Sequence, residues 1–249
     1  MPKPVFVIIA GGLATRMKPV TEEIPKCLID VSGKPLIQHQ VEYLAKRGYN
    51  DFIFCVAHLA DKVKEHFDDG SAFGINVKYS HEPKELLGTA GAVKFVENMV
   101  GDICIVYYGD NLTTIDFDKA LEFHRLKNSD FTVLLRPLPE GYKSSSIITL
   151  DESGKVTTFF EKPPQEEFDK HEEEKMYIND GIYIMNRNVF SLIPKNTKFD
   201  FAKDLIPLLM ERSMNFYGYV SSEFFRELGR VEKYEKFKEE LKERGKVLE

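Results

Sequence analysis

Two glycines and two cations stand at the mouth of the first apolar run of this chain. After Ile8, Ile9 and Ala10 come Gly11 and Gly12, then Thr15 and Arg16, and further on a Pro25-Lys26 pair. A glycine pair behind a buried strand lets the backbone approach a ligand closely, and its N–H groups can point at phosphate oxygens. A tight strand-to-helix turn would account for the glycines but not for the cations. Arg16 offers a planar fork and Lys26 a point charge, the combination that a triphosphate and a second phosphate would need at one end of a sheet. No G-x-x-x-x-G-K-[ST] is present, and "GGLATR" is not G-x-G-x-x-G, so neither a P-loop nor a dinucleotide fingerprint is on offer.

The elements that must position these residues follow from periodicity. Short apolar runs ("PVFVIIA", "DFIFCVA", "INVKYS", "ICIVYY") alternate with helical patterns ("LIQHQVEYLAKRG", "DKVKEHFDDG", "GTAGAVKFVENMV"). This predicts repeated βαβ units and a mainly parallel sheet flanked by helices, because strands buried on both faces are continuously apolar. Ligands of such sheets bind at the carboxyl ends of the strands, here the loops after Ala10, Ser80 and Tyr108. The helix near Leu36 to Arg47 should stop at Gly48, and Asp116 or Asp118 should cap "DKALEFHRLKN". From Phe131 the segments "FTVLLRP", "SIITL", "VTTFFEKP" and "YINDGIYIM" predict an antiparallel, β-rich second half. Residues 166–175, "EEFDKHEEEK", read as a solvated loop, with a lid over a ligand as the alternative. The tail places Val231, Tyr234, Phe237 and Leu241 on one face of an amphipathic helix, with Glu232–Lys236 and Glu240–Arg244 as i,i+4 pairs.

Composition narrows the class. The 249 residues are 43% hydrophobic and 30% charged, as in an ordinary globular chain, and one domain is expected. A formal charge of −6 speaks against a nucleic-acid surface. No apolar run is long enough to span a bilayer, and residues 1–10 lack the pattern of a signal peptide, so a cytoplasmic location is expected. Cys27, Cys55 and Cys104 have no C-x-x-C spacing, and the six histidines, His58 and His81 among them, have no metal-ligand spacing. Cys55 and Cys104 read as core thiols; Cys27, beside Lys26, could react, but nothing else in the sequence supplies a base for it.

Residues 11 to 26 fit throughout the form G-G-x-x-T-R-hydrophobic-x-P-x-T-x-x-x-P-K, and here the chain closely resembles the sugar-1-phosphate nucleotidyltransferases. The resemblance continues in order through "LLGTAGA" (86–92), "YYGDN" (107–111), "FFEKP" (159–163), "NDGIYI" (179–184) and "ELG" (227–229). It looks most like the branch of heptose-1-phosphate and mannose-1-phosphate guanylyltransferases. It departs from the family where Ala14 stands for a frequent Gly, where Ser146 lies near a position often held by Gly, and where Glu227 occupies the place of an Asp. The implied fold is a Rossmann-like, GT-A-like nucleotidyltransferase domain spanning 1–249. Within it, 1–130 form a nucleotide-binding half, 131–228 a sugar-phosphate-binding half and 229–249 a C-terminal helix.

The reaction implied is attack by a sugar 1-phosphate oxygen on the α-phosphorus of a nucleoside triphosphate, with release of pyrophosphate. A phosphate monoester has its second pKa near about 6, so the nucleophile is already largely dianionic at pH 7 and needs no general base. The site has only to neutralise and align two anions. The resemblance assigns catalysis to Arg16, Lys26 and Lys162, and nucleotide binding to Gly11, Gly12, Leu13, Thr15, Glu82, Gly88 and Thr89. It gives sugar binding to Asn111, Glu161 and Asn179, with Asp180 beside it, and metal binding to Asp110 and Glu227. Two carboxylates from distant parts of the chain suit Mg²⁺, a hard cation that shares its shell with phosphate oxygens and water. "GTAG" opens a helix whose amides could face a base carbonyl, or could simply be capped; "NDG" is equally a strand bulge. Glu82 favours GTP, since guanine presents N1–H and its 2-amino group side by side to a carboxylate, whereas uracil and thymine flank a single N3–H with carbonyls. Three alternatives stand: the same chemistry with UTP, dTTP or CTP; a catalytically silent nucleotide-sugar sensor or partner subunit; and a glycosyltransferase, which the missing Asp-x-Asp disfavours. A homodimer is left open, with no nucleic-acid or membrane partner expected.

Overall fold

The structure, a computed structural model, describes residues 2–82, 86–139, 146–171, 175–245 and 247–248. The first half runs β1 (Val5–Ile9), the short hairpin β2 (Asp30–Val31) and β3 (Lys34–Pro35), α1 (Leu36–Ala45), β4 (Asp51–Val56), α2 (Ala60–Phe67) and β5 (Asn76–His81). It continues with α3 (Gly88–Lys94), β6 (Ile103–Tyr108), β7 (Asn111–Thr113) and α4 (Phe117–Leu126). The second half contains β8 (Phe131–Pro137), β9 (Ile147–Leu150), β10 (Val156–Phe160), α5 (Gln165–Lys170), β11 (Tyr177–Asn186), α6 (Ile206–Glu211), β12 (Phe216–Val220), β13 (Phe225–Glu227) and α7 (Val231–Arg244).

The fold is mixed α/β, with a parallel sheet at its centre and helices on its faces. β5, β4, β1 and β6 are parallel neighbours, and their apolar runs are buried because helices cover both sides. β11 runs antiparallel to β6 and joins the two halves into one nine-stranded sheet. Along β11 the neighbour on one side changes: Tyr177 faces Ile148 of β9, whereas Ile182 faces Tyr107 of β6. The register shifts over the same stretch, between Asn179 and Tyr183, so the sheet splits beside "NDG". Phe6, Phe52, Phe54 and Tyr107 fill one face of the sheet under α1, α2 and α4; Val93, Phe131, Tyr183 and Phe201 fill the other. Among the described residues, no helix is long and apolar enough to cross a membrane.

Asp116 is the residue that caps α4, accepting from the N–H groups of Asp118 and Lys119. α7 docks Tyr234, Phe237 and Leu241 against Met17, Ile29 and Leu112. Glu240 pairs with Arg226 of β13 at 3.0 Å, a tertiary contact that the helical period does not announce. The charge-dense stretch is not wholly a loop: Gln165–Lys170 forms α5, started by Pro164, while residues 172–174 lie outside the described residues. Periodicity alone also missed the helical segment before β12. There Asp200 caps a π-helical turn, Phe201–Leu205, that passes into α6. Pro207 in the first turn of α6 lacks an N–H, which obscures a helical reading of "FAKDLIPLLMER".

Gly88 shows how closely α3 is packed. Its φ is +74°, and a Cβ there would lie 2.7 Å from the Phe199 carbonyl oxygen. Left-handed strain and overpacking together predict that Gly88→Ala costs about 2–4 kcal/mol. Urea unfolding would measure it, and a loss below about 1 kcal/mol would show that the 199 segment yields.

Candidate active site

The strand register brings the predicted loops to one edge. Ile9 is level with Cys55 on β4 and with Tyr108 on β6. The ladder runs one residue further on each strand, with the Ala10 N–H donating to Cys55, the Gly109 N–H to Ile9 and the Glu82 N–H to Val56. Gly11, Asp110 and Glu82 therefore emerge together at the carboxyl ends. Past Gly11 the loop turns through Ala14, which holds φ +49° and so adopts the conformation a glycine reaches without penalty. The Ala14 carbonyl accepts from the Met17 N–H and from the Thr21 hydroxyl, and Met17 is buried. Gly12, Leu13 and Thr15 are left exposed, and Arg16 reaches into a cavity of about 530 Å³.

Asp110 and Glu227 meet through pairing that no local pattern announces. β13 runs antiparallel to β7 with Glu227 opposite Asn111, and the Leu228 N–H donates to the Asp110 carbonyl. Both carboxylates line the cavity. Lys26 pairs with Asp110, and Lys233 of α7 pairs with Glu227. Gly229 leaves room for this cluster, since a Cβ there would fall 3.0 Å from Lys26 Nζ and inside the Glu227 carboxylate. Cys27 turns away from the cavity. It is buried, and desolvation pushes its thiol up to about 12, so it is an unreactive core residue rather than a nucleophile.

The opposite wall carries the second-half residues. Lys162, held at φ +49°, lies 3.4 Å from Glu161, which accepts from the Ser146 hydroxyl at 2.6 Å. Residues 141–145 of "GYKSSS" lie outside the described residues. "NDG" is a bulge stapled on several sides. The Asn179 amide donates to Tyr183 Oη and its oxygen accepts from the Gly181 N–H, both at 2.8 Å, while the Asn111 amide donates to the Asp180 carbonyl. The amide groups of Asn111 and Asn179 thus shape the cavity wall. The Asp180 carboxylate accepts from Arg136 Nε at 2.7 Å, yet burial raises its pKa to about 7. Sequence reading passed over Arg136, Lys203, Arg230 and Lys233, all of which line the cavity. A charge closing the apolar run "FTVLL" was the available signal for Arg136. Among the described residues, Arg16, Lys203 and Arg230 are the cavity cations without an ion-pair partner.

At the nucleotide end, Glu82 is half-buried rather than turned to solvent. One of its oxygens accepts from the Leu87 N–H at 2.9 Å, and the other lies 2.7 Å from where a Gly11 Cβ would sit. Burial raises its pKa. The start of α3 corrects the view that "GTAG" offers all its amides to a base. The N–H groups of Ala90 and Gly91 donate to the Phe199 carbonyl, and the Thr89 hydroxyl donates to Asp200 at 2.8 Å. Gly88 itself is packed against Phe199, so its demonstrated role is close approach of backbone.

The family model described as nucleotidyl transferase matches residues 5–244, nearly the whole chain. The chain belongs to this family. It is 32% identical over 240 residues to a UTP–glucose-1-phosphate uridylyltransferase of Synechocystis, covering 92% of this chain but 61% of that relative. To a D-glycero-alpha-D-manno-heptose 1-phosphate guanylyltransferase of Aneurinibacillus thermoaerophilus it is 30% identical, covering 94% of this chain and 97% of the relative. Among solved structures, HddC from Yersinia pseudotuberculosis in complex with GMP-PN superposes with a TM-score of 0.79 at 28% identity, over 96% of this chain and all of the other. The nucleotidyltransferase fold read from the opening loop is the fold of these neighbours, and the cavity lies where the family's motifs converge.

Proposed function

We propose that this chain joins a nucleoside triphosphate to a sugar 1-phosphate, forming an NDP-sugar. A phosphate oxygen of the sugar attacks the α-phosphorus, a bond forms there, and the bond to the departing pyrophosphate breaks. The observation that carries this reading is the cavity that Arg16, Asp110, Lys162 and Glu227 line together, with Lys26 held against Asp110 by an ion pair. Arg16 faces the leaving phosphates, Lys26 stands between the two substrates and Lys162 takes the sugar phosphate. Such a site works by cancelling charge and fixing alignment, and it asks for no side-chain nucleophile or base.

Asp110 and Glu227 supply hard oxygen donors side by side, which suits Mg²⁺ completed by phosphate oxygens and water. When bound, the cation would neutralise charge on the phosphates. Retention of Arg16, Lys162 and both carboxylates around one cavity, with Lys26 paired to Asp110, favours an enzyme over a silent sensor, since binding alone needs no such pair. The test is a panel of the common nucleoside triphosphates crossed with several sugar 1-phosphates, read by pyrophosphate release with and without Mg²⁺. Tight nucleotide binding without turnover of any pair would favour the sensor.

The base preference proposed is for GTP. The name of the heptose relative and the GMP-PN complex of a structural neighbour support it; the Synechocystis relative, named for UTP, opposes it. On this reading Glu82, anchored against the glycine loop, accepts from guanine N1–H and its amino group. Glu82→Gln should lower the ratio of kcat/KM for GTP over UTP at least about tenfold, because the amide loses one acceptor and adds a donor. A wild-type preference for UTP, or a ratio indifferent to the substitution, would sink the assignment.

A further inference from the structure

The cavity has a second lobe. Arg136, Ile178, Phe225, Glu227 and Lys233 line both the main cavity and an adjoining one of about 250 Å³, which Arg226 and Lys236 also border. Cations outnumber carboxylates around this lobe, and Arg226 is the one already paired to Glu240.

Arg136 sits at the junction. It stands opposite Ile178 on β11, one residue short of the bulge. Its Nε donates to Asp180, and its guanidinium lies 4.2 Å from the centroid of the Phe225 ring. Ring and carboxylate fix the plane of the fork, leaving the two terminal amino groups without a protein acceptor among the described residues. The side chain is 35% exposed, whereas that of Asp180 is 1% exposed. Asp180 Oδ2 has no hydrogen-bond partner among the described residues. Burying a carboxylate with one oxygen unsatisfied costs stability, and a hydrophobic pair would pack there without that cost. What the arrangement secures is the direction of a guanidinium.

Resting on the nucleotidyl-transfer reading, we infer that Arg136 binds a second anionic group, a carboxylate or a phosphate, on the acceptor sugar 1-phosphate, with Asp180 as its positioning residue. The 1-phosphate is already met by Lys162 and Lys26 on that reading. A neutral sugar would leave the Arg136 fork facing hydroxyl groups, whereas a carboxylate or phosphate matches it in a bidentate way. The adjoining lobe gives such a substituent room, and Lys236 adds a further positive charge there.

The test compares glucose and mannose 1-phosphates with their uronic acid 1-phosphates and 1,6-bisphosphates as acceptors. In the wild type, one anionic class should exceed the matching neutral acceptor at least tenfold in kcat/KM; which class does so tells carboxylate from phosphate. Arg136→Gln should lower kcat/KM for that acceptor at least tenfold more than for the neutral one. Asp180→Asn should raise KM for it with kcat nearly kept, a split that a purely structural role would not produce. Wild-type preference for the neutral acceptors, or an equal fall for all acceptors in Arg136→Gln, overturns the inference while leaving nucleotidyl transfer standing. If no acceptor turns over, that reading fails first. Calorimetry with the same anionic acceptors then decides Arg136 alone, and equal Kd values for wild type and Arg136→Gln overturn it.

Discussion

Asp110→Asn should reduce turnover by about three orders of magnitude, with metal affinity falling alongside it. The amide keeps the shape of the side chain and removes its charge. Asp110 stands at the carboxyl end of β6, against the β13 strand that delivers Glu227, and both line the cavity. Stability should hardly move. The Lys26–Asp110 pair is largely buried, and desolvating two charges offsets much of their attraction, so thermal unfolding without ligand should be nearly level. Initial rates over a range of Mg²⁺ concentrations, with a melting curve of the same sample, separate the two effects. Full activity at low Mg²⁺ would place the metal elsewhere. The same test on Glu227, Glu227→Gln, is expected to leave partial activity, because Glu227 stands where the family has an Asp.

Arg16→Ala should lower kcat by about 10²–10³ while the melting temperature stays within about 2 °C. Arg16 is exposed, on a turn whose fold is secured by the Ala14 carbonyl and by Met17 in the core, so nothing structural leans on its side chain. The effect should fall on kcat more than on KM, because charge on the departing phosphates grows as the bond breaks. Wild-type turnover in this variant would remove Arg16 from the reaction.

The sequence by itself determined the central strands, the first-half helices and the opening loop. Apolar runs flanked by helical periods announce β1, β4 and β6, Gly48 and Asp116 mark helix ends, and "GGLATR" with Pro25-Lys26 forms its site within one short stretch. These features are local: a burial period or a cap depends on neighbours a few residues away. Tertiary structure decided what depends on register. It set Glu227 beside Asp110 through β13 and β7, and it closed the Ala90 and Gly91 amides with a carbonyl from residue 199. It also drew Glu240 to Arg226, and it placed Arg136 over Phe225 against a buried Asp180. Each of these contacts joins segments far apart in the chain. Their partners are chosen by how the sheet pairs and which face is buried, and a shift of one residue would turn the same side chains to the opposite face.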